Sequence, residues 1–143
     1  MRKKPPVLIG IMAVLAVLFL LSCGSDNSTS SQPPVTVKDD PSFSADIQPI
    51  FNSNCVSSGC HNATASAGLV LLQGQSYASL VNVDSSSENT KKRVLPGDAT
   101  SSYLVIKLEG RQSVGARMPL GGSLNTNSIQ NIKNWINKGA KNN

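Results

Sequence analysis

The sequence predicts an all-α domain, small and rich in loops, over residues 42–143. Three observations carry that expectation. Four stretches repeat apolar residues at helical spacing, no stretch sustains the alternation of a half-buried strand, and Ser, Gly, Asn and Pro fill the intervals. A domain of this size folds alone but buries a modest share of its surface. With aromatic residues at 4% of the chain, its core is thin, and an apolar group from outside the chain would help to fill it.

The first helical stretch, SADIQPIFNSNC, has Ser44 as its expected cap and sets Ile47, Ile50 and Phe51 on one face. Pro49 falls near the first turn, where a missing N–H is tolerated. GLVLL, residues 68–72, reads as a short extended piece. GQSYASLVNV reads as a brief helix or turn with Tyr77, Leu80 and Val81 inward. In PGDATSSYLVIKLEG the expected cap is Asp98 or Thr100, Leu104 and Leu108 form an i, i+4 pair, and Gly110 supplies the stop. The last stretch, LNTNSIQNIKNWINKGA, begins at Asn125 or Thr126 and ends at Lys138 and Gly139. Its stripe is Ile129, Ile132, Trp135 and Ile136, with Trp135 expected against Phe51 where the last helix crosses the first.

Ahead of the domain, Met1-Arg2-Lys3-Lys4 precedes an apolar run from Val7 to Leu21. A membrane span needs about 20 apolar residues, so this run suits a secretory signal better. Its end, Leu20-Leu21-Ser22-Cys23, resembles the lipobox of bacterial lipoproteins. That resemblance implies that residues 1–22 are a signal peptide, that Cys23 carries lipid, and that residues 23–41 form a flexible Ser/Pro tether. The chain is then expected in the cell envelope, anchored to a membrane by lipid and facing the periplasm, with Gly24 favouring the outer membrane. The formal charge of +5 falls to +2 when Arg2, Lys3 and Lys4 leave, so the basic composition implies no nucleic-acid partner.

The chemistry is concentrated in CVSSGCHN, residues 55–62, which holds two of the three cysteines and the only histidine. In an exported protein Cys55 and Cys60 are either a disulfide or the attachment points of another group. A disulfide leaves His61 unexplained. A structural zinc requires a fourth ligand, which only a carboxylate such as Asp46 or Asp84 could supply. A Cys–His nucleophile pair is disfavoured because adjacent side chains rarely point at each other. A thiol pair followed directly by His is also how covalent haem is held: the thiols bond the vinyl groups and the imidazole binds iron. Here four residues, Val56 to Gly59, separate the cysteines instead of two.

The pieces DIQPIFNSNC with GCHN, RVLPGD with SSYLVIKL, ARMP and NIKNWINKGA succeed one another between Phe43 and Ala140. As an ordered set they resemble the planctomycete-type monohaem domains of the class I cytochrome c group. The longer interval between the cysteines departs from that pattern. The resemblance implies a cytochrome c-like fold, with long loops wrapped around one covalent haem c attached through Cys55 and Cys60. His61 and, from ARMP, Met118 would be the axial ligands of the iron. Beyond residue 22, His61 is the only histidine and Met118 the only methionine, which agrees with His/Met ligation. The resemblance further implies an electron carrier and not an enzyme, a monomer whose partners are other redox proteins.

Several supporting roles are expected around the haem. The second ring nitrogen of His61 should donate to a carbonyl, with the loop Leu95-Pro96-Gly97 as a candidate. Arg93, Arg111, Arg117, Tyr103 and Trp135 are candidates to bond the haem propionates. The charge run Lys91-Lys92-Arg93 is either a solvated face or a patch that steers an acidic partner. Two rival readings stand beside the electron carrier. One is a haem-free, disulfide-closed lipoprotein acting as a binding module. The other is a haem-based sensor in which Met118 leaves the iron.

Overall fold

A computed structural model describes residues 34–143. The expected signal peptide, the lipidation site Cys23 and residues 23–33 of the expected tether lie outside the described residues. The described chain is helical. An opening π-helical turn, Phe43–Ile47, runs into α1, Gln48–Asn54, and a 3₁₀ turn, Ser66–Gly68, precedes α2, Ser76–Leu80. Then come α3, Tyr103–Glu109, and α4, Thr126–Asn137. Isolated bridges such as Val81 to Val94 are the only extended pairing among the described residues.

The helix ends obey local chemistry, with two shifts from the sequence expectation. Ser42, not Ser44, caps the opening turn, its Oγ accepting from the Ala45 N–H at 3.5 Å. The Ser44 N–H instead donates to the Asn143 carbonyl at 2.8 Å, which satisfies another donor of that helix start. For α3 the cap position is Ser102, whose side chain makes no capping bond to the helix. Asp98 accepts from the Ser101 N–H at 2.9 Å and so closes the turn before the helix. Gly110 ends α3 in the left-handed region at φ 76°, and Asn125 caps α4 through the Ser128 N–H at 2.8 Å, both as the sequence predicts.

The core gathers Ile47, Ile50 and Phe51 from the first helix, Leu71 and Leu80, Val105 and Leu108 from α3, and Ile132, Trp135 and Ile136 from α4. Trp135 is 1% exposed. It meets Phe43 at 5.1 Å between ring centroids, and Phe43 in turn stands 6.4 Å from Phe51. The expected Trp135–Phe51 crossing is thus mediated by Phe43. Tyr77 completes the cluster, edge-on to Phe43 at 5.3 Å. A buried polar knot ties α1 to Leu71 and to the first turn of α2. Gln48 donates to the Leu71 carbonyl at 3.0 Å and accepts from the hydroxyl of Ser76.

The domain also begins earlier than Ser42. Asn131 accepts from the Lys38 N–H and donates to the Thr36 carbonyl, each at 2.8 Å. Asn127 reaches the Val35 carbonyl at 2.8 Å and Asn134 the Lys38 carbonyl at 2.6 Å. Three amides spaced along α4 therefore seat residues 35–38, and Pro41 is buried. The sequence places this stretch in the tether because its own composition has little to bury. Its hydrogen-bond partners lie some ninety residues away in the chain.

Candidate functional site

A cavity of about 380 Å³ opens between the segment after α1, the face of α3 and the loop after α3. Its wall includes Cys55, Cys60, His61 and Met118 together, with Leu69, Leu71, Leu80, Leu104 and Leu108 supplying apolar surface. That volume lies within the range of small-molecule sites, roughly 300–1,000 Å³.

The segment carrying the cysteines and His61 is stitched from within. Cys60 N–H donates to the Ser57 carbonyl at 3.0 Å, so Ser57-Ser58-Gly59-Cys60 is a tight turn, with Gly59 at φ 77° in its third position. The longer interval between the cysteines is taken up by this turn. His61 N–H then bonds the Cys55 carbonyl at 2.9 Å, and the His61 carbonyl accepts from the Leu71 N–H at 2.7 Å. The chain between them passes through Ala65 and Ala67, both with φ in the left-handed region, at 50° and 56°. Alanine is uncommon there, and such strain persists where surroundings over-determine the backbone.

His61 Nδ1 lies 3.3 Å from the Leu69 carbonyl. A carbonyl only accepts, so the shared proton belongs to Nδ1, which leaves the Nε2 lone pair available as a ligand. The expected acceptor near Leu95-Pro96-Gly97 is replaced by one much nearer in sequence. Gly97 N–H donates instead to the Ile136 carbonyl at 2.8 Å, so that loop belongs to the α4 contact. Burial, and then the neighbouring Cys60, push the Cys55 thiol up to about 11. At neutral pH it is therefore a neutral thiol and a poor thiolate nucleophile.

The five expected propionate partners separate. Arg93 and Tyr103 line the cavity. Arg93 donates to the Ser79 carbonyl at 2.8 Å, and Tyr103 gives its hydroxyl to the Val114 carbonyl at 3.4 Å. Arg111, Arg117 and Trp135 are not part of the wall. Arg111 pairs with Glu109 at 2.7 Å, Arg117 Nε bonds the Leu108 carbonyl at 2.9 Å, and the Trp135 indole N–H donates to the Lys141 carbonyl at 2.8 Å. Each is thus engaged elsewhere.

Lys107 is the cavity residue that the sequence did not single out. It sits four residues after Tyr103, and the pattern Tyr103, Leu104, Lys107, Leu108 marks the α3 face that lines the wall. Burial lowers the pKa values of Lys107 and Arg93, and neither forms an ion pair with a carboxylate among the described residues. Among the described residues the cavity wall holds two cations and no carboxylate. Such a wall suits an apolar ligand with anionic groups, since an unpaired, partly buried charge is costly.

The donor set can be tested against the groups the sequence suggests. For zinc, the needed fourth ligand is missing from the wall: Asp46 is bonded to Lys38 at 2.5 Å and Asp84 to Lys92 at 2.6 Å. No group of three or more His, Cys, Asp and Glu side chains fit to hold a bare metal ion occurs among the described residues. For haem, an imidazole with its Nδ1 already bonded, a thioether, two thiols, an apolar wall and two cations border one space, and that set fits. Compared with protein-family models, curated protein sequences and solved structures, the chain matches none.

Proposed function

We propose that the domain is a monohaem c-type cytochrome, lipid-anchored through Cys23, that carries single electrons between other redox proteins. One observation supports this above the others: Met118 borders the same apolar-walled cavity as Cys55, Cys60 and His61, although it is remote from them in sequence. When bound, the haem supplies a one-electron iron couple.

The chain's own residues do the rest. Cys55 and Cys60 would hold the haem through their sulfurs. His61 offers Nε2, with its Nδ1 proton fixed on the Leu69 carbonyl. Met118 would offer its sulfur as a further ligand, and thioether ligation with water excluded would favour the reduced state and a higher potential. Arg93 and Lys107, which pair with no carboxylate among the described residues, would receive the propionates. The leucines of the wall keep the site dry.

The test is a visible spectrum and an intact mass of protein expressed in a host equipped for covalent haem attachment. The expected result is a coloured protein heavier by one haem, whose far-red sulfur–iron band is lost in Met118→Ala while the haem stays attached. Colourless protein, lighter than the chain by two hydrogens, would support the disulfide-closed module instead. That second reading draws on the closeness through which Cys60 raises the Cys55 thiol.

A further inference from the structure

Between Leu108 and Leu124 the chain adds nothing to the hydrophobic core. It forms no helix or bridge there, and Val114 and Leu120 are 50% and 67% exposed. Burial therefore does not hold this segment, yet Met118 must reach the cavity from it. Gln112 Oε1 is buried without a hydrogen-bond partner, and the bonds the segment makes within itself are few, such as Gln112 Nε2 to the Gly115 carbonyl at 3.4 Å.

What holds it comes from α3. The Lys107 carbonyl accepts from the Met118 N–H at 3.0 Å. One carbonyl, that of Val114, accepts twice: from Lys107 Nζ at 3.2 Å and from the Tyr103 hydroxyl at 3.4 Å. Tyr103 and Lys107 are four residues apart, so their side chains stack on one face of the helix, with the ammonium 5.7 Å from the ring centroid. Burial draws the Lys107 pKa down and, with the charge of Glu88, the Tyr103 pKa up. Hydrogen bonds made by partly desolvated donors are the stronger for it.

We infer that Tyr103 and Lys107 form a latch on the Val114 carbonyl that keeps the Met118 segment closed over the cavity, with Lys107 as a positioning residue for Met118. The latch decides how readily a small external ligand displaces Met118. It rests on the His61/Met118 haem reading only for that last consequence. The hold on the segment itself is a property of the chain.

Two measurements test it on the full protein: amide hydrogen exchange across residues 112–118, and the rate at which carbon monoxide binds the reduced form. The variants are Tyr103→Phe, Lys107→Met and, as a control, Lys133→Met. Lys133 pairs with Glu109 at 2.9 Å and lies outside the wall. Each latch variant should speed Met118 amide exchange and carbon monoxide binding roughly fivefold, the factor carried by one net hydrogen bond, and the control should leave both unchanged. Wild-type values in both latch variants would overturn the latch. So would a silent Tyr103→Phe beside an active Lys107→Met, because a shared acceptor requires both donors to matter. If the protein carries no haem, the haem reading fails, and the exchange measurement still decides the latch. Should Lys107→Met fail to fold, Tyr103→Phe removes a single hydroxyl and is decisive alone.

Discussion

The two segments that bring His61 and Met118 to the cavity are built on opposite principles. Residues 55–71 close on themselves through backbone bonds, with His61 N–H on the Cys55 carbonyl and Leu71 N–H on the His61 carbonyl. Cys55, Val56 and Leu69 pack against the core, and Leu71 is inside it. Residues 111–122 have no such footing and hang from the side chains and carbonyls of α3. The difference teaches where rigidity is placed. The side that would carry three covalent or coordinate bonds is set by the fold, while the side with one replaceable ligand is set by a few hydrogen bonds. Segments of the second kind populate the low-stability end of local opening.

The strongest way to break this comparison is to trim one leucine on each side. Leu71, 2% exposed beneath the His61 segment, should cost about 2–5 kcal/mol of stability as Leu71→Ala, the range for a buried leucine. Leu120→Ala, at a position 67% exposed beside Met118, should change stability by less than about 0.5 kcal/mol. Denaturant unfolding of the two variants gives both numbers. Equal losses would mean that the Met118 side is buried in solution after all.

A smaller effect is expected at Gly59. Its φ of 77° lies where a side chain is strained, while a Cβ there would meet nothing within 4 Å. Gly59→Val should therefore cost about 1–2 kcal/mol of purely conformational energy. Gly59→Asn should restore part of it, because Asn tolerates this region. If the turn is what accommodates the long cysteine interval, the valine variant should also show a smaller doubly attached fraction in its intact mass. An unchanged fraction would separate the turn from attachment.

The smallest effect is an acid one, and it belongs to one side only. Residues 55–71 contain no carboxylate. At the foot of the other segment, burial alone would raise the Glu109 carboxyl. The hydrogen bonds from Lys133 and Arg111, then their charges, outweigh burial and hold it below its usual value. A depressed carboxyl stabilises the fold fully above its unfolded pKa, near ~4.3 for Glu, and loses that contribution as pH falls through its folded value. Acidification through this window should lower amide protection near residue 110, measured against intrinsic exchange at each pH, by the equivalent of roughly 0.3–1 kcal/mol, with the protection of residues 55–71 unaffected. Glu109→Gln should abolish that pH dependence. A pH response that survives in Glu109→Gln would assign it to another group.

Much of the local architecture is legible in the chain. Of the stripe Ile129, Ile132, Trp135 and Ile136, the last three are fully buried and Ile129 packs partly buried against the core, and Asn125 and Gly110 act where cap chemistry puts them. The Cys55, Cys60 and His61 cluster is visible because it is contiguous. Other features are written in the sequence without their partners. The spacing of Asn127, Asn131 and Asn134 marks an amide rail on α4, yet only the seated backbone of residues 35–38 gives it meaning. The α3 face with Tyr103 and Lys107 carries the same kind of signal.

What the sequence by itself determined is therefore what neighbouring residues decide among themselves: helix faces, helix ends, and a thiol pair with an imidazole beside it. Those depend on backbone geometry and side-chain chemistry within a few residues, and no distant segment is needed to evaluate them. Only the tertiary structure decided that Met118 borders the same cavity as His61. It alone turned Arg111, Arg117 and Trp135 away from that cavity and Lys107 into its wall, and gave His61 Nδ1 the Leu69 carbonyl. Such choices are fixed by which segments pack against each other. A long cationic or polar side chain takes whichever carbonyl or carboxylate the packing brings within about 3 Å.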